Sequence, residues 1–187
     1  MMTEPANQIT MDEATNAVDF LEKAALFLKR VPDDPMYWKW VIISLHAALY
    51  GIGVCSVMLM DRKDVIRTTK KGKELLLGFD EIMKMCQDPR MMTSVYEGEP
   101  LVLSDDQKKA LDHLKNTFRN NFEHFAPTRW TIILNGLPKM TADVMTVIRS
   151  LALENGTRRL HLGKHRNRLE TAIQQIEADL KTIQYTR

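Results

Sequence analysis

The sequence predicts an all-α fold, a bundle of about five to six helices that forms a single domain over residues 1–187. Three observations support this class. Apolar residues recur at steps of three and four along most of the chain, which is the spacing of one buried helix face. With 44% hydrophobic and 27% charged residues, the composition is typical of a globular domain with a core. The sequence contains no internal repeat, low-complexity tract or linker that would divide the chain.

The first two helices are predicted at residues 11–30 and 36–61, separated by Pro32 and Pro35, because proline does not fit a helix interior. Residues 1–34 are interpreted as an N-terminal helical extension. The apolar stripe of the first helix is formed by Ala14, Val18, Leu21, Ala25 and Leu28.

Residues 40–60, WVIISLHAALYGIGVCSVMLM, are almost wholly apolar over a length that could span a bilayer. A helix that is apolar all round is also typical of the centre of a bundle. Ser44, His46 and Tyr50 interrupt the apolar run, and the sequence has no second run of this kind. These features favour a buried helix and no membrane partner, with a membrane span as the alternative. His46 is then expected to be buried and hydrogen-bonded, with a position facing a functional cleft as its alternative.

The middle of the chain predicts one helix between two irregular segments. Residues 62–73 are basic and are expected to be partly loop. Residues 74–86 return to helical spacing. Residues 87–103 contain two prolines and a glycine, so they are expected to form a connecting loop.

Another helix is predicted to begin at Ser104 and to be stopped by Pro127. Ser104 is a suitable N-cap, and Asp105 and Asp106 place negative charge in the first turn, where the helix dipole favours it. The buried stripe of this helix is expected at Ala110, Leu111, Leu114, Phe118, Phe122 and Phe125.

The last part of the chain predicts an extended segment and two helices. TRWTIILNGLP, at residues 128–138, is short, β-branched and ends in a turn, so it is expected to be extended. Residues 141–154 are predicted to be helical. Residues 158–187 supply a long C-terminal helix whose apolar residues form a narrow seam. Such a seam packs inside a bundle or pairs with a second copy of the chain.

Residues 118–127, FRNNFEHFAP, place Arg119, Asn120 and His124 near a predicted helix end. Arginine offers a charged fork that matches phosphate oxygens, and histidine transfers protons near neutral pH. Arg119 and His124 would lie roughly 140° apart on an ideal helix, so the helix must end near His124 or each side chain must act with groups from elsewhere. Spacing alone favours an ordinary surface arginine and a capping histidine at a helix end. No cluster of metal-ligating residues flanks the motif, so any reaction here is expected to need no metal and no cofactor.

The longer stretch LKNTFRNNFEHFAPTRWTIILNGLP resembles bacterial members of the HEPN (higher eukaryotes and prokaryotes nucleotide-binding) superfamily. The mark of these proteins is an arginine, usually followed by a polar residue, and a histidine after four to six intervening positions; here these are Arg119, Asn120 and His124, with four between. The HFAP and GLP features resemble a subgroup of uncharacterised members, and YWKWVIISLHAALYGI resembles their long central helix. The resemblance covers roughly residues 35–153.

The resemblance implies an up-and-down bundle and a metal-independent ribonuclease of toxin or defence type, in which two chains bring their Arg–His pairs into one cleft. His124 would act on the ribose hydroxyl or the leaving oxygen, Arg119 would stabilise charge on the phosphate, and Asn120 would position them. Some members only bind RNA, nucleotides or proteins, which is the alternative function. In members controlled by an antitoxin nucleotidyltransferase, a modified tyrosine stands where this chain has Ala126, so an antitoxin partner would have to act differently.

Residues 158–168, RRLHLGKHRNR, form the densest positive run in the sequence. A solvated helix face is one interpretation. The alternative is an RNA-phosphate patch. Its members would be Arg158, Arg159, Lys164, His165 and Arg166.

Cellular location is predicted from the cysteines and the N-terminus. Cys55 and Cys86 are too few for a disulfide framework, and the sequence begins without a secretory signal pattern. These features favour a reduced cytoplasmic location. Trp38 and Trp40 are expected to pack in the fold rather than to stack on bases.

Overall fold

The computed structural model describes residues 7–58, 62–93, 98–124, 129–154, 161–183 and 185. Within these ranges the chain is mainly helical, with one two-stranded sheet, which confirms the all-α prediction. The first half contains α1 Glu13–Leu28, α2 Tyr37–Val57, a 3-10 turn Arg62–Val65, β1 Ile66–Thr68, β2 Glu74–Leu76, α3 Phe79–Cys86 and α4 Pro89–Met92.

The second half begins with α5 Asp105–Asp112, which continues as π-helical turns at His113–Arg119 and ends as α6 Asn120–Glu123. A 3-10 turn Leu134–Gly136 leads into α7 Leu137–Arg149, which continues as π-helical turns at Ser150–Glu154. A second 3-10 turn, Gly163–His165, precedes α8 Arg166–Thr182.

Helix α2 is the centre of the core, because residues on all its sides are buried and α1, α3 and α7 pack against it. Of the described helices, α2 is long and apolar enough to cross a membrane by length and composition, with a mean hydropathy of 1.8. Inside the fold, 67% of that apolar stretch is buried. This packing is the arrangement expected of a core helix.

Two glycines allow neighbouring helices to approach α2 closely. A Cβ atom at Gly51 would lie 2.7 Å from Cβ of Ala17 on α1. A Cβ atom at Gly53 would overlap the ends of Met83 and Ile82 on α3. The sequence therefore brings α1 and α3 against α2 by omitting side chains at these two positions.

Helix α8 uses its apolar seam inside the chain. Leu169, Ile173 and Ile176 are buried, and α8 packs against α1 and α7. Two bidentate ion pairs flank the seam: Arg168 binds Glu22 at 2.6 and 2.7 Å, and Arg149 binds Glu177 at 2.6 and 2.7 Å. Of the two uses predicted for the seam, packing inside the bundle is the one found in this chain.

The prediction of a helix over residues 74–86 is wrong in its first part. β2 contains Leu75 and Leu76 and pairs antiparallel with β1, so that Arg67 lies opposite Leu75. Gly72, with φ of 77°, closes the turn between the strands. Extended backbone at Gly78 then separates β2 from α3. The sequence predicted a helix there because Leu75 and Leu76 continue the spacing of the apolar residues in α3.

The helix predicted at Ser104 is present and has the expected cap. The Ser104 hydroxyl accepts the Gln107 N–H at 3.2 Å, and the Gln107 side chain accepts the Ser104 N–H at 2.8 Å. The helix ends at Glu123, and Pro127 lies outside the described residues. The π-helical turns within it were not predicted.

Three other boundaries differ from the sequence predictions. α4 lies in the predicted loop, because the Asp88 carboxylate caps its first turn. α7 begins at Leu137 rather than at residue 141, since Pro138 is accepted in a first helical turn. α8 begins at Arg166 rather than at residue 158, because a 3-10 turn precedes it.

Candidate functional site

Arg119 and Asn120 lie where the π-helical turns pass into α6. Arg119 Nη1 donates a hydrogen bond to Asn120 Oδ1 at 3.1 Å, and both side chains are partly buried. π-helical turns are frequent at functional sites because they re-aim side chains out of the regular helical series. The polar residue that the motif places after the arginine therefore holds the guanidinium directly.

Glu123 is the second partner of Arg119. Arg119 Nη2 lies 2.6 Å from Glu123 Oε2, and the side chains are 31% and 36% exposed. The Arg119 Nε atom is buried and has no hydrogen-bond partner among the described residues. The guanidinium thus extends from a partly exposed ion pair into the protein.

His124 stands at the end of the same helix. Its backbone N–H donates to the Asn120 carbonyl at 2.9 Å, and its backbone then becomes extended, with φ −103° and ψ 112°. The side chain is exposed and makes no hydrogen bond or ion pair with any described residue. The helix therefore ends beside His124, which is one of the two arrangements that the spacing allowed. Within one chain, the described contacts of Arg119 are to Asn120 and Glu123 rather than to His124.

His46 lies on α2, which packs against the π-helical turns that carry Arg119. Its ring is buried and stacks on Phe79, with centroids 4.8 Å apart. Burial and, after it, the positive charges of Arg119 and Lys115 together lower the pKa of His46 to about 4, while Asp80 opposes them. The imidazole is therefore neutral near pH 7.

The burial expected of His46 is confirmed, but its Nε2 atom does not make the expected hydrogen bond with any described residue. Its Nε2 atom has no partner among the described residues, as is also true of Arg119 Nε. The alternative expectation, that His46 faces a functional cleft, stays a prediction, because His46 is not among the described residues that line the four main clefts. Its ring nevertheless feels the positive charge of Arg119.

A cleft of about 600 Å³ lies beside α6, and we call it the Trp130 cleft. The start of α2 contributes Met36 and Lys39 to it, and α6 contributes Asn121 and Phe122. The segment after α6 contributes Arg129 and Trp130. The Phe122 and Trp130 rings are 5.2 Å apart and tilted by 55°. Sequence reasoning missed this cleft, although the adjacent arginine and tryptophan at 129–130 were a signal.

The two tryptophans at the start of α2 differ from each other. Trp38 is buried and its Nε1 donates to the Tyr185 hydroxyl, so it is a packing residue as predicted. Trp40 is 47% exposed. The Lys39 ammonium lies 5.0 Å from the centroid of the Trp40 ring. Trp40 is not among the described residues that line the Trp130 cleft.

The described members of the predicted basic patch have partners within the chain. Lys164 pairs with Asp12 at 2.7 Å, and this contact holds the pKa of the Asp12 carboxyl well below its usual range. Arg166 pairs with Glu170 at 2.7 Å. His165 Nε2 lies 3.5 Å from the Thr15 hydroxyl. Burial, followed by the charges of Lys164 and Arg168, lowers the pKa of His165.

Arg158 and Arg159, the other members of that patch, lie outside the described residues. RNA binding by the patch stays a prediction. The structure adds that its described arginine and lysine are compensated locally by carboxylates.

Cysteine and metal chemistry receive little support from the described geometry. Cys55 and Cys86 are free and buried, and burial raises the pKa of both thiols to about 12. Such thiols are poor nucleophiles. No three His, Cys, Asp or Glu side chains converge in the part of the chain that the structure describes.

Comparison of the chain with family models, with curated proteins and with solved structures found no match. Membership of the HEPN superfamily therefore stays a prediction that rests on the motif and its flanking residues.

Proposed function

We propose that the protein is a metal-independent endoribonuclease of toxin or defence type that acts as a homodimer through Arg119, Asn120 and His124. One observation carries the proposal. The motif arginine is held by the motif asparagine at 3.1 Å, immediately before the helix end at which the histidine side chain is exposed. This is an arrangement in which each of the three residue types can perform its expected role.

In the proposed reaction, one His124 takes the proton of the ribose 2′-hydroxyl. The 2′-oxygen then attacks the phosphorus and the bond from phosphorus to the 5′-oxygen breaks. The leaving 5′-oxygen takes a proton from the protonated His124 of the second chain, and a 2′,3′-cyclic phosphate remains. A dimer is needed because each chain supplies a single motif histidine, whereas the reaction uses a base and an acid.

Arg119 would stabilise the charge that develops on the phosphate oxygens. For this role the guanidinium must exchange the Glu123 carboxylate for the phosphate, while Asn120 keeps it oriented. The guanidinium has donors on three nitrogens, so the contact with Asn120 can persist during that exchange.

The experiment is incubation of single-stranded RNA with the purified protein in EDTA. We expect cleavage with 2′,3′-cyclic phosphate ends, and a loss of about a hundredfold or more in Arg119→Ala and His124→Ala. His113→Ala is the matched control, because His113 is an exposed histidine on the same continuous helix. Equal RNA loss with wild type and with both motif variants would exclude this site.

Oligomeric state is tested separately by light scattering of the protein eluting from a size-exclusion column. The proposal expects the mass of two chains. A stable monomer at the concentrations used for cleavage would contradict the proposed two-chain mechanism.

A binding module without catalysis is the second candidate, and the ion pair between Arg119 and Glu123 favours it. In that pair the Arg119 Nη2 atom lies 2.6 Å from Glu123 Oε2, so part of the guanidinium charge is already neutralised within the chain. This candidate predicts RNA, nucleotide or protein binding without turnover. RNA retained in a mobility-shift assay and recovered intact after long incubation would support it.

A further inference from the structure

The Trp130 cleft differs in charge from the other described clefts. Its described lining includes Lys39 and Arg129 and no acidic residue. Each of the other three main clefts includes at least one carboxylate: Asp80 and Asp112 line one of them, Asp106 and Asp143 another, and Glu22 the third. The Trp130 cleft is therefore the one among these four that is complementary to an anion.

The two cations of the cleft are available for a ligand. Lys39 contacts the face of the Trp40 ring, and neither Lys39 nor Arg129 forms an ion pair with a described residue. Elsewhere the described arginines commonly pair with carboxylates at 3.0 Å or less, as Arg67 does with Glu81 at 2.9 Å and Arg168 does with Glu22 at 2.6 Å. Two cations at one opening that have no carboxylate partner among the described residues indicate where a ligand's negative charge would be accepted at the lowest desolvation cost.

The cleft also offers an aromatic surface. Trp130 is 38% exposed. Its ring is tilted by 55° to that of Phe122, so the two rings are not stacked in parallel. Nucleobases stack on such exposed indole rings with little dependence on sequence. The volume of about 600 Å³ suits a ligand of the size of one nucleotide, within the range usual for small-ligand sites.

The position of the cleft relates it to the motif. Asn121 and Phe122, which line the cleft, lie in α6 between Asn120 and His124. We propose that the Trp130 cleft binds one nucleotide of a single-stranded RNA, with its base against Trp130 and its phosphate between Lys39 and Arg129. This inference rests on the proposed function, because the nucleotide bound in the cleft would be next to the phosphodiester at which His124 is proposed to transfer protons.

Binding is measured with the full chain carrying His124→Ala in EDTA, so that the RNA stays intact. The probe is a fluorescein-labelled single-stranded RNA of about a dozen nucleotides, long enough to pass over one such site. In this background Trp130→Ala is expected to weaken binding about tenfold. Trp130→Phe is expected to keep most of the affinity, because it retains an aromatic ring. Leu76→Ala is the control, since Leu76 is an exposed apolar side chain (46%) on β2 that is not among the described residues lining the cleft.

Salt dependence tests the cationic side of the cleft. Arg129→Gln is expected to reduce the magnitude of the slope of log affinity against log salt by about 0.7. This is the effect of the counterions released by one phosphate contact on a single strand. Arg30→Gln, at an exposed arginine outside the described lining of the cleft, is expected to leave the slope unchanged.

The outcomes distinguish failure of the proposed nucleotide site from failure of the proposed nuclease activity. If the wild type does not cleave RNA but Trp130→Ala still weakens binding selectively, the cleft assignment stands and the proposed activity fails. If the wild type cleaves RNA while Trp130→Ala and Leu76→Ala bind equally well, the cleft assignment fails alone. An acidic peptide that competes as strongly as the RNA would also overturn it, because the cleft would then recognise charge without a base.

Discussion

The Arg119 guanidinium and the Glu123 carboxylate lie 2.6 Å apart, one helical turn from each other, at the end of the helix that carries the motif. The same guanidinium binds Asn120. In the free chain, therefore, the arginine that is proposed to bind phosphate is held by a competing anion. The strength of that competition sets how readily RNA can take the place of Glu123.

Glu123→Gln is expected to tighten RNA binding several-fold, because the substitution removes a negative charge next to the proposed phosphate site. The free energy of unfolding should change by less than about 0.5 kcal/mol, since partly exposed pairs at this spacing contribute little. Titration with labelled RNA and urea unfolding measure the two effects.

Asp19→Asn serves as the control for that experiment, because Asp19 pairs with Lys23 at the same spacing on α1. It should leave RNA affinity unchanged. Equal RNA affinity in Glu123→Gln and wild type would mean that Arg119 has a structural role and does not meet phosphate.

His46 is expected to make the protein less stable in mild acid. Its pKa is about 4 in the folded chain and 6.5 ordinarily, so between these values the unfolded chain binds a proton that the folded chain excludes. Stability from this residue is therefore complete above pH 6.5 and is lost as the pH falls towards 4, by up to about 1.4 kcal/mol per pH unit. Urea unfolding at several pH values between 7.5 and 4.5 measures the slope, which His46→Leu should reduce.

His113→Gln, at an exposed histidine, should keep the wild-type slope. If His46→Leu and His113→Gln both retain that slope, His46 is not the group that responds. The charges that oppose protonation of His46 come from Arg119 and Lys115, so Arg119→Ala should raise the pKa of His46 and weaken its pH effect.

The fold class could be predicted from the sequence because the residues that a helix buries recur at a regular spacing. The stripe of α1, the uniformly apolar α2 and the seam of α8 all correspond to buried faces. Leu75 and Leu76 were misassigned because apolar residues before a helix resemble its first turn. The π-helical turns at His113–Arg119 were missed because they add a residue to a turn without changing which residue types occur there.

The candidate site was only partly visible in the sequence. Arg119, Asn120 and His124 are local, and their place at a helix end followed from spacing. The Trp130 cleft depends on tertiary contact between the start of α2 and the segment after α6, which are far apart in the chain. The choice of Glu123 as partner for Arg119 depends on rotamers, which a residue pattern does not specify.

RNA affinity should distinguish the two basic surfaces. Lys164→Gln and Arg166→Gln are expected to change affinity less than about twofold, because Asp12 and Glu170 already compensate those charges. Arg129→Gln should weaken binding by more, since Arg129 has no such partner among the described residues. A larger loss in the Lys164 and Arg166 variants would instead identify the predicted patch at residues 158–166 as the RNA surface.

Gly51→Ala should destabilise the protein by about 1–3 kcal/mol, because the new methyl group would lie 2.7 Å from Cβ and 3.4 Å from Cα of Ala17, so α1 would have to move. Urea unfolding measures the change. Gly163→Ala is the control, since a Cβ atom there meets no other atom within 4 Å.

Ala17→Gly should restore part of the stability of Gly51→Ala, because it removes the methyl group that the new Cβ meets. Alone, Ala17→Gly should cost about 1 kcal/mol through helix propensity. The double variant should therefore be more stable than the sum of the single effects predicts. Additive effects would show that α1 and α2 do not touch at Gly51, and the packing of α1 against the central helix would then need revision.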